Sequence, residues 1–127
     1  MIKALVVDDI ESWRIYHAKM LNELFDDINI EMASCAKEGY DLIFANIAKP
    51  YDIIITDLQM ENDFEPKYAG EWLVEQTQSL KNYFNAKVVI SSAAYNIRYI
   101  AEQLNVDCIP KKIAMNFPDV YNLLKEI

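Results

Sequence analysis

The chain has 127 residues, of which 53% are apolar, and its net charge at pH 7 is −8. This length and apolar content suffice for one globular domain with a buried core, and the negative charge argues against broad contact with a nucleic-acid backbone. Cys35 and Cys108 stand far apart, and His17 is the sole histidine, so no Cys/His zinc spacing is present. The N-terminal apolar run is too short for a signal peptide or a membrane span, and we expect a cytoplasmic protein.

Apolar segments of strand length alternate along the chain with longer segments of helical period. In chain order the predicted elements are a strand over 3–7, a helix over 12–25, a strand over 28–34, a helix over 37–48, a strand over 51–56, a helix over 70–84, a strand over 86–92, a helix over 94–105, a strand over 106–109 and a helix over 116–127. Parallel neighbours need helical crossovers, so this order predicts an α/β fold with a five-stranded parallel sheet and helices on both faces.

Polar residues lie at the carboxyl ends of four of the predicted strands. They are Asp8 and Asp9 after the first and Asp57 after the third, Ser91 and Ser92 as the last residues of the fourth, and Lys111 and Lys112 after the fifth. Ligands of open parallel sheets gather at these strand ends. Clustered carboxylates need either protonation or a hard cation to offset their repulsion, and Mg²⁺ suits an oxygen-rich site of this kind. An aspartate beside a cation, a hydroxyl and a lysine is equipped to attack a phosphoryl group and form an aspartyl phosphate.

The segments "VVDD", "DIIITDLQM", "VVISSA" and "IPK" together resemble the receiver domain of two-component response regulators, over essentially the whole chain. The resemblance implies a doubly wound, flavodoxin-like (βα)5 fold of the CheY type. It also implies one receiver domain over residues 1–127 with no output domain in this chain. Such a domain is a signalling phosphoacceptor that assists its own phosphorylation and dephosphorylation, and is not otherwise an enzyme.

The resemblance assigns the phosphoacceptor and the metal ligands to named positions. Asp57 would accept the phosphoryl group, and Mg²⁺ would be bound by Asp8, Asp9, Asp57 and the backbone carbonyl of Gln59. The phosphoryl donor would be a sensor histidine kinase or a histidine phosphotransfer protein.

Ser92 and Lys111 complete the implied set. Ser92 would hydrogen-bond the phosphate, and Lys111 would pair with Asp57 and then with the phosphoryl oxygens. Lys112 stands where the family has a proline, so we expect Lys111 to be less firmly placed, with Lys112 as its competitor for the role. Cys108 occupies the position of the family's aromatic switch, and Tyr95 or Tyr99 is the substitute to consider.

Phosphorylation would bias the face from the fourth to the fifth helix toward a protein partner, and it allows a phosphorylation-dependent dimer. No direct contact with nucleic acid or membrane is expected. Apart from any role in switching, Tyr95 and Tyr99 are expected at the surface or half-buried. His17 is expected on the surface of the first helix, and Trp13 on its apolar face.

The loop after the acceptor departs from the family pattern. Gly70 lies thirteen residues beyond Asp57, against about eight in the family, so about five residues are inserted and add Asp63, Glu65 and Tyr68 beside the site. Two interpretations stay open: a tolerated surface insertion, or a loop that alters kinase docking or shields the phosphate.

Two other functions fit part of the pattern. A degenerate receiver would act as a phosphorylation-independent interaction module, which the missing proline, the long loop and Cys108 favour. A haloacid dehalogenase-like phosphatase also uses a strand-end aspartate with Mg²⁺, but Ile10 stands where its second aspartate belongs.

Overall fold

The structure, a computed structural model, describes residues 1–60 and 68–125. The strands are β1 (Ile2–Val7), β2 (Ile28–Ala33), β3 (Ile53–Thr56), β4 (Lys87–Ile90) and β5 (Asp107–Cys108). The α-helices are α1 (Glu11–Leu24), α2 (Ala36–Ala45), α3 (Ala69–Gln78), α4 (Ile97–Leu104) and α5 (Lys111–Ala114). Two 3-10 helices span Lys81–Tyr83 and Pro118–Lys125.

The five strands form one parallel sheet in the order β2-β1-β3-β4-β5. The first strand is therefore an interior strand, with the second strand on one side and the third on the other. A doubly wound sheet reverses its strand order at such a point, and the crevice there lies at the carboxyl ends of β1 and β3. The predicted α/β fold with a five-stranded parallel sheet is confirmed.

The central strands are buried on both faces, as continuous apolar strands require. Alternate side chains of β1 enter different cores: Ala4 and Val6 pack with α1 and the C-terminal 3-10 helix, whereas Leu5 and Val7 pack with α2 and α3. A third cluster joins α3 to α4 around Ile90. Among the described residues, no helix combines the length and apolar character needed to cross a membrane.

Most predicted elements are present with ends shifted by a few residues, but two predictions of helix were wrong in part. The predicted helix over 70–84 ends at Gln78 and is followed by a separate 3-10 turn. The predicted helix over 116–127 is a 3-10 helix over Pro118–Lys125, and the short α5 before it was not predicted. Tyr121 and Leu124, three residues apart and both buried, satisfy a 3-10 helix as well as an α-helix.

Candidate functional site

Backbone hydrogen bonds align the strand ends that carry the polar side chains. The amide of Asp57 donates to the carbonyl of Val7 (2.8 Å), that of Ser91 to Thr56 (2.9 Å) and that of Lys111 to Ser92 (3.0 Å). Each bond joins two neighbouring strands near the carboxyl ends of their paired segments. The residues that follow β1, β3, β4 and β5 are therefore held side by side at one edge of the sheet.

Three carboxylates meet in the crevice between β1 and β3. Asp8, Asp9 and Asp57 each place one oxygen so that the three atoms lie within 4.8 Å of one another. Asp8 is 0% and Asp57 4% exposed, and Asp9 is half-buried. Three hard oxygen donors of negative charge this close together fit a divalent cation such as Mg²⁺.

The side chain of Lys111 enters this cluster. Its Nζ lies 2.8 Å from Asp8 Oδ2 and 3.2 Å from Asp57 Oδ2, and the residue is 5% exposed. Lys112 is exposed to solvent. The expectation that Lys111 would be loosely placed is wrong, because backbone and side-chain contacts fix it although no proline follows.

The environment changes the acidity of the Asp57 carboxyl. Burial raises its pKa to about 6, the Lys111 ammonium opposes the rise, and the charge of Asp8 adds to it. At pH 7 the carboxylate form still predominates, and this is the form that acts as a nucleophile.

Ser92 follows β4 and is 1% exposed. Its Oγ accepts a hydrogen bond from the amide of Ala94 (3.1 Å). The neighbouring Ser91 is also buried, but its Oγ has no hydrogen-bond partner within the described part of the chain. Gln59 is exposed two residues after Asp57, and the metal-binding role of its carbonyl stays a prediction.

The segment after the acceptor returns to the site at Gly70. The Gly70 amide donates to the Leu58 carbonyl (3.0 Å), and Tyr68 is the N-cap residue of α3. Gly70 thus packs on the acceptor strand end in spite of the longer loop. Asp63 and Glu65 lie outside the described residues.

The Trp13 ring lies next to the Lys111 ammonium, and the His17 ring packs beside Trp13. The sequence predicted the position of Trp13 but not that of His17. The ammonium lies 5.1 Å from the ring centroid of Trp13, which confirms that Trp13 is on the apolar side of α1 near the site. The prediction of a surface position for His17 is wrong: it is 1% exposed, and its Nδ1 lies 2.6 Å from the Tyr121 hydroxyl. A signal was present, because residue 17 shares a helix face with Met20 and Leu21.

Three further positions bear on the predictions. Cys108 is half-buried in β5 without an aromatic ring at that place. Tyr95 and Tyr99 are 95% and 63% exposed, so the expectation of a surface position is confirmed. Ile10 is exposed and supplies no second carboxylate of the phosphatase kind.

No protein-family model and no curated protein matches the sequence. Solved structures do match. The receiver domain of a DNA-binding response regulator from Colwellia psychrerythraea is 22% identical, with 99% of this chain and 97% of that chain covered and a TM-score of 0.77. The response regulator TrrA from Thermotoga maritima, solved in complex with Mg²⁺-BeF, is 22% identical, with 99% and 98% covered and a TM-score of 0.77.

The chemotaxis protein CheY4 of Vibrio cholerae is 18% identical, with 100% of this chain and 98% of that chain covered and a TM-score of 0.74. Matches that cover nearly the whole of both chains agree with the strand order and helix placement described above. The chain therefore has the fold of the response regulator receiver domains.

Proposed function

We propose that this chain is a phosphoacceptor receiver domain in which Asp57 accepts a phosphoryl group in a Mg²⁺-dependent reaction. The observation that carries the proposal is the assembly around Asp57: Asp8 and Asp9 supply carboxylates within 4.8 Å, and Lys111 Nζ lies 3.2 Å from Asp57 Oδ2. These groups come from separate strand ends. A purely structural role for the cluster would not require three acidic side chains to share a crevice.

In the proposed reaction a carboxylate oxygen of Asp57 attacks the phosphorus of a phosphohistidine on the donor protein. A P–O bond forms, the P–N bond breaks, and its electron pair passes to the histidine ring nitrogen. Lys111 stabilises the negative charge on the transferred oxygens, and the Ser92 hydroxyl is positioned to hydrogen-bond one of them.

Asp8 and Asp9, together with Asp57, are the residues that would hold the cation. Mg²⁺, when bound there, supplies the positive charge that lets a phosphoryl group approach three carboxylates. Lys111 contacts the cluster on Asp8 and Asp57, so it offsets part of the same charge while no cation is bound.

We infer that the natural donor of the phosphoryl group is a sensor histidine kinase or a histidine phosphotransfer protein, for which acetyl phosphate substitutes in the test below. We infer that phosphorylation shifts the population of two arrangements of the face formed by α4, β5 and the C-terminal segment, which then binds a protein partner. Tyr95 and Tyr99 are exposed on or next to α4. Because β5 carries Cys108, the shift is expected to proceed without a rotating ring at that position.

Incubation with acetyl phosphate and Mg²⁺, followed by intact-protein mass spectrometry, tests the proposal. One phosphoryl group should be added to the wild type and none to Asp57→Asn, with the label lost on mild alkaline treatment. Asp119→Asn, at an exposed carboxylate with the same change in charge, should be labelled normally. Failure of the wild type to be labelled by acetyl phosphate or any histidine kinase, together with no Mg²⁺ binding, would favour the phosphorylation-independent interaction module.

A further inference from the structure

Among the described residues, the Lys111 ammonium lies close to two carboxylates and to one aromatic ring. Asp8 Oδ2 lies at 2.8 Å and Asp57 Oδ2 at 3.2 Å, while the indole ring of Trp13 lies with its centroid at 5.1 Å. The lysine side chain is 6% exposed, so solvent does little to weaken these contacts. A cation within about 6 Å of an aromatic centroid is attracted by the negative face of the ring, most strongly for tryptophan and when desolvated.

We propose that Trp13 is a positioning residue for phosphoryl transfer, whose indole ring holds the Lys111 ammonium within reach of the phosphoacceptor carboxylate. This inference rests on the proposed function of Asp57. The ring attracts the ammonium through its π-electrons, so the N–H donors remain available to Asp57 and to phosphoryl oxygens.

The Trp13 ring is itself fixed by its neighbours. Tyr16 packs against it edge-to-face at 5.5 Å with an interplanar angle of 88°, and the His17 ring lies at 5.4 Å. The Tyr16 hydroxyl donates to the carbonyl of Ala114 at 2.8 Å. Since Ala114 ends the four-residue helix that Lys111 begins, one aromatic pair on α1 contacts both the head group of Lys111 and its helix.

The position of Lys111 in the chain explains why such a contact matters. Lysine has a flexible four-carbon stem that retains many rotamers unless its head group is held. Here Lys112 follows in place of a proline, and the backbone of Lys111 is held by the Ser92 carbonyl. If Asp8 binds a cation, its attraction for Lys111 weakens, whereas the Trp13 contact does not depend on the carboxylates.

The contact can be measured without phosphorylation. The ring current of Trp13 should move the ε-methylene proton resonances of Lys111 upfield in the free protein. These resonances should return toward ordinary lysine values in Trp13→Leu and stay displaced in Trp13→Phe, which keeps a ring. Trp72→Leu is the matched control, because Trp72 lies on α3 and packs 5.5 Å from Tyr40 on the other side of the sheet. Unchanged Lys111 resonances in Trp13→Leu would overturn the proposal.

Labelling kinetics with acetyl phosphate and Mg²⁺ test the consequence. Trp13→Leu should slow phosphorylation about tenfold, the scale of a desolvated cation–π contact, and Trp13→Phe should retain most of the rate. In a Lys111→Met background, Trp13→Leu should cause no further loss. An equal loss in that background would mean that Trp13 acts through the fold and not through Lys111. If the wild type is labelled neither by acetyl phosphate nor by a histidine kinase and binds no Mg²⁺, the proposed function fails, and the Lys111 resonances alone decide whether Trp13 holds the ammonium.

Discussion

Gly70 packs so closely on Asp57 that a Cβ atom at residue 70 would lie 2.0 Å from the Asp57 carbonyl oxygen. It would also lie 2.6 Å from the Cα atom of Leu58. Both neighbours are backbone atoms of the strand end that presents the acceptor. The first turn of α3 can therefore approach Asp57 only if residue 70 has no side chain.

Gly70→Ala should destabilise the fold by about 3 kcal/mol and greatly reduce labelling of Asp57, because the acceptor backbone or α3 must move. Urea unfolding and acetyl phosphate labelling measure the two effects. Gly39→Ala is the comparison: its added Cβ would meet side-chain atoms, of Val7 at 3.0 Å and of Leu73 at 3.2 Å, and no backbone atom, and alanine favours the helix, so it should destabilise the fold less than Gly70→Ala. Equal stability of Gly70→Ala and the wild type would contradict the close approach.

The sequence predicted the sheet and its acidic edge because both depend on local patterns. Buried parallel strands read as continuous apolar runs, and the residue after such a run must lie at the carboxyl edge. The sequence therefore predicted that Asp8 and Asp57 would lie together. The pairing of Val7 with Thr56 in adjacent strands gives the same juxtaposition in the structure.

What the sequence did not predict depends on contacts between distant segments. Trp13 and Lys111 are separated by 97 intervening residues, and no period relates α1 to the residue after β5. The contact of His17 with Tyr121 joins residues 104 positions apart, although the helix face that His17 shares with Met20 and Leu21 already indicated its burial. The sequence did not predict the firm placement of Lys111, because the Ser92 carbonyl and the Trp13 ring that hold it belong to other segments of the chain.

Asp9→Asn should weaken Mg²⁺ binding by roughly tenfold, because the affinity of a hard cation depends on the number of charged oxygens. Isothermal titration with MgCl₂ gives the dissociation constants of the variant and the wild type. Asp119→Asn removes the same charge at an exposed position and should bind Mg²⁺ as the wild type does. A dissociation constant unchanged by Asp9→Asn would exclude this side chain from the metal site.

Ser92→Ala should slow labelling of Asp57 by about tenfold or more, the scale of a lost hydrogen-bond donor to a developing negative charge. Ser92→Thr keeps a hydroxyl and should retain most of the rate. Ser91→Ala is the matched control, since both serines are buried side by side after β4. If Ser91→Ala proves slower than Ser92→Ala, the assignment of the phosphate-binding hydroxyl moves to Ser91.

His17 makes the stability of the domain depend on pH. Burial, and to a smaller extent the Lys111 ammonium, lower its pKa to about 3. Its Nδ1 lies 2.6 Å from the Tyr121 hydroxyl, and its ring centroid lies 5.4 Å from that of Trp13 and 5.7 Å from that of Tyr121. Between pH 6.5 and 3 the unfolded chain binds a proton at His17 that the folded chain does not, so this residue lowers the free energy of unfolding as the pH falls.

His17→Gln should remove that contribution while keeping a polar group beside Tyr121. The variant should be less stable than the wild type at pH 7, and the difference should shrink below pH 6 by up to about 1.4 kcal/mol per pH unit. Urea unfolding from pH 7 to pH 4 measures it, and the carboxylates shared by both proteins cancel in the comparison. Tyr121→Phe keeps the buried imidazole, so its stability should fall with acid as steeply as that of the wild type. A constant difference between His17→Gln and the wild type over this range would mean that His17 is already protonated, or freely titrating, in the folded domain.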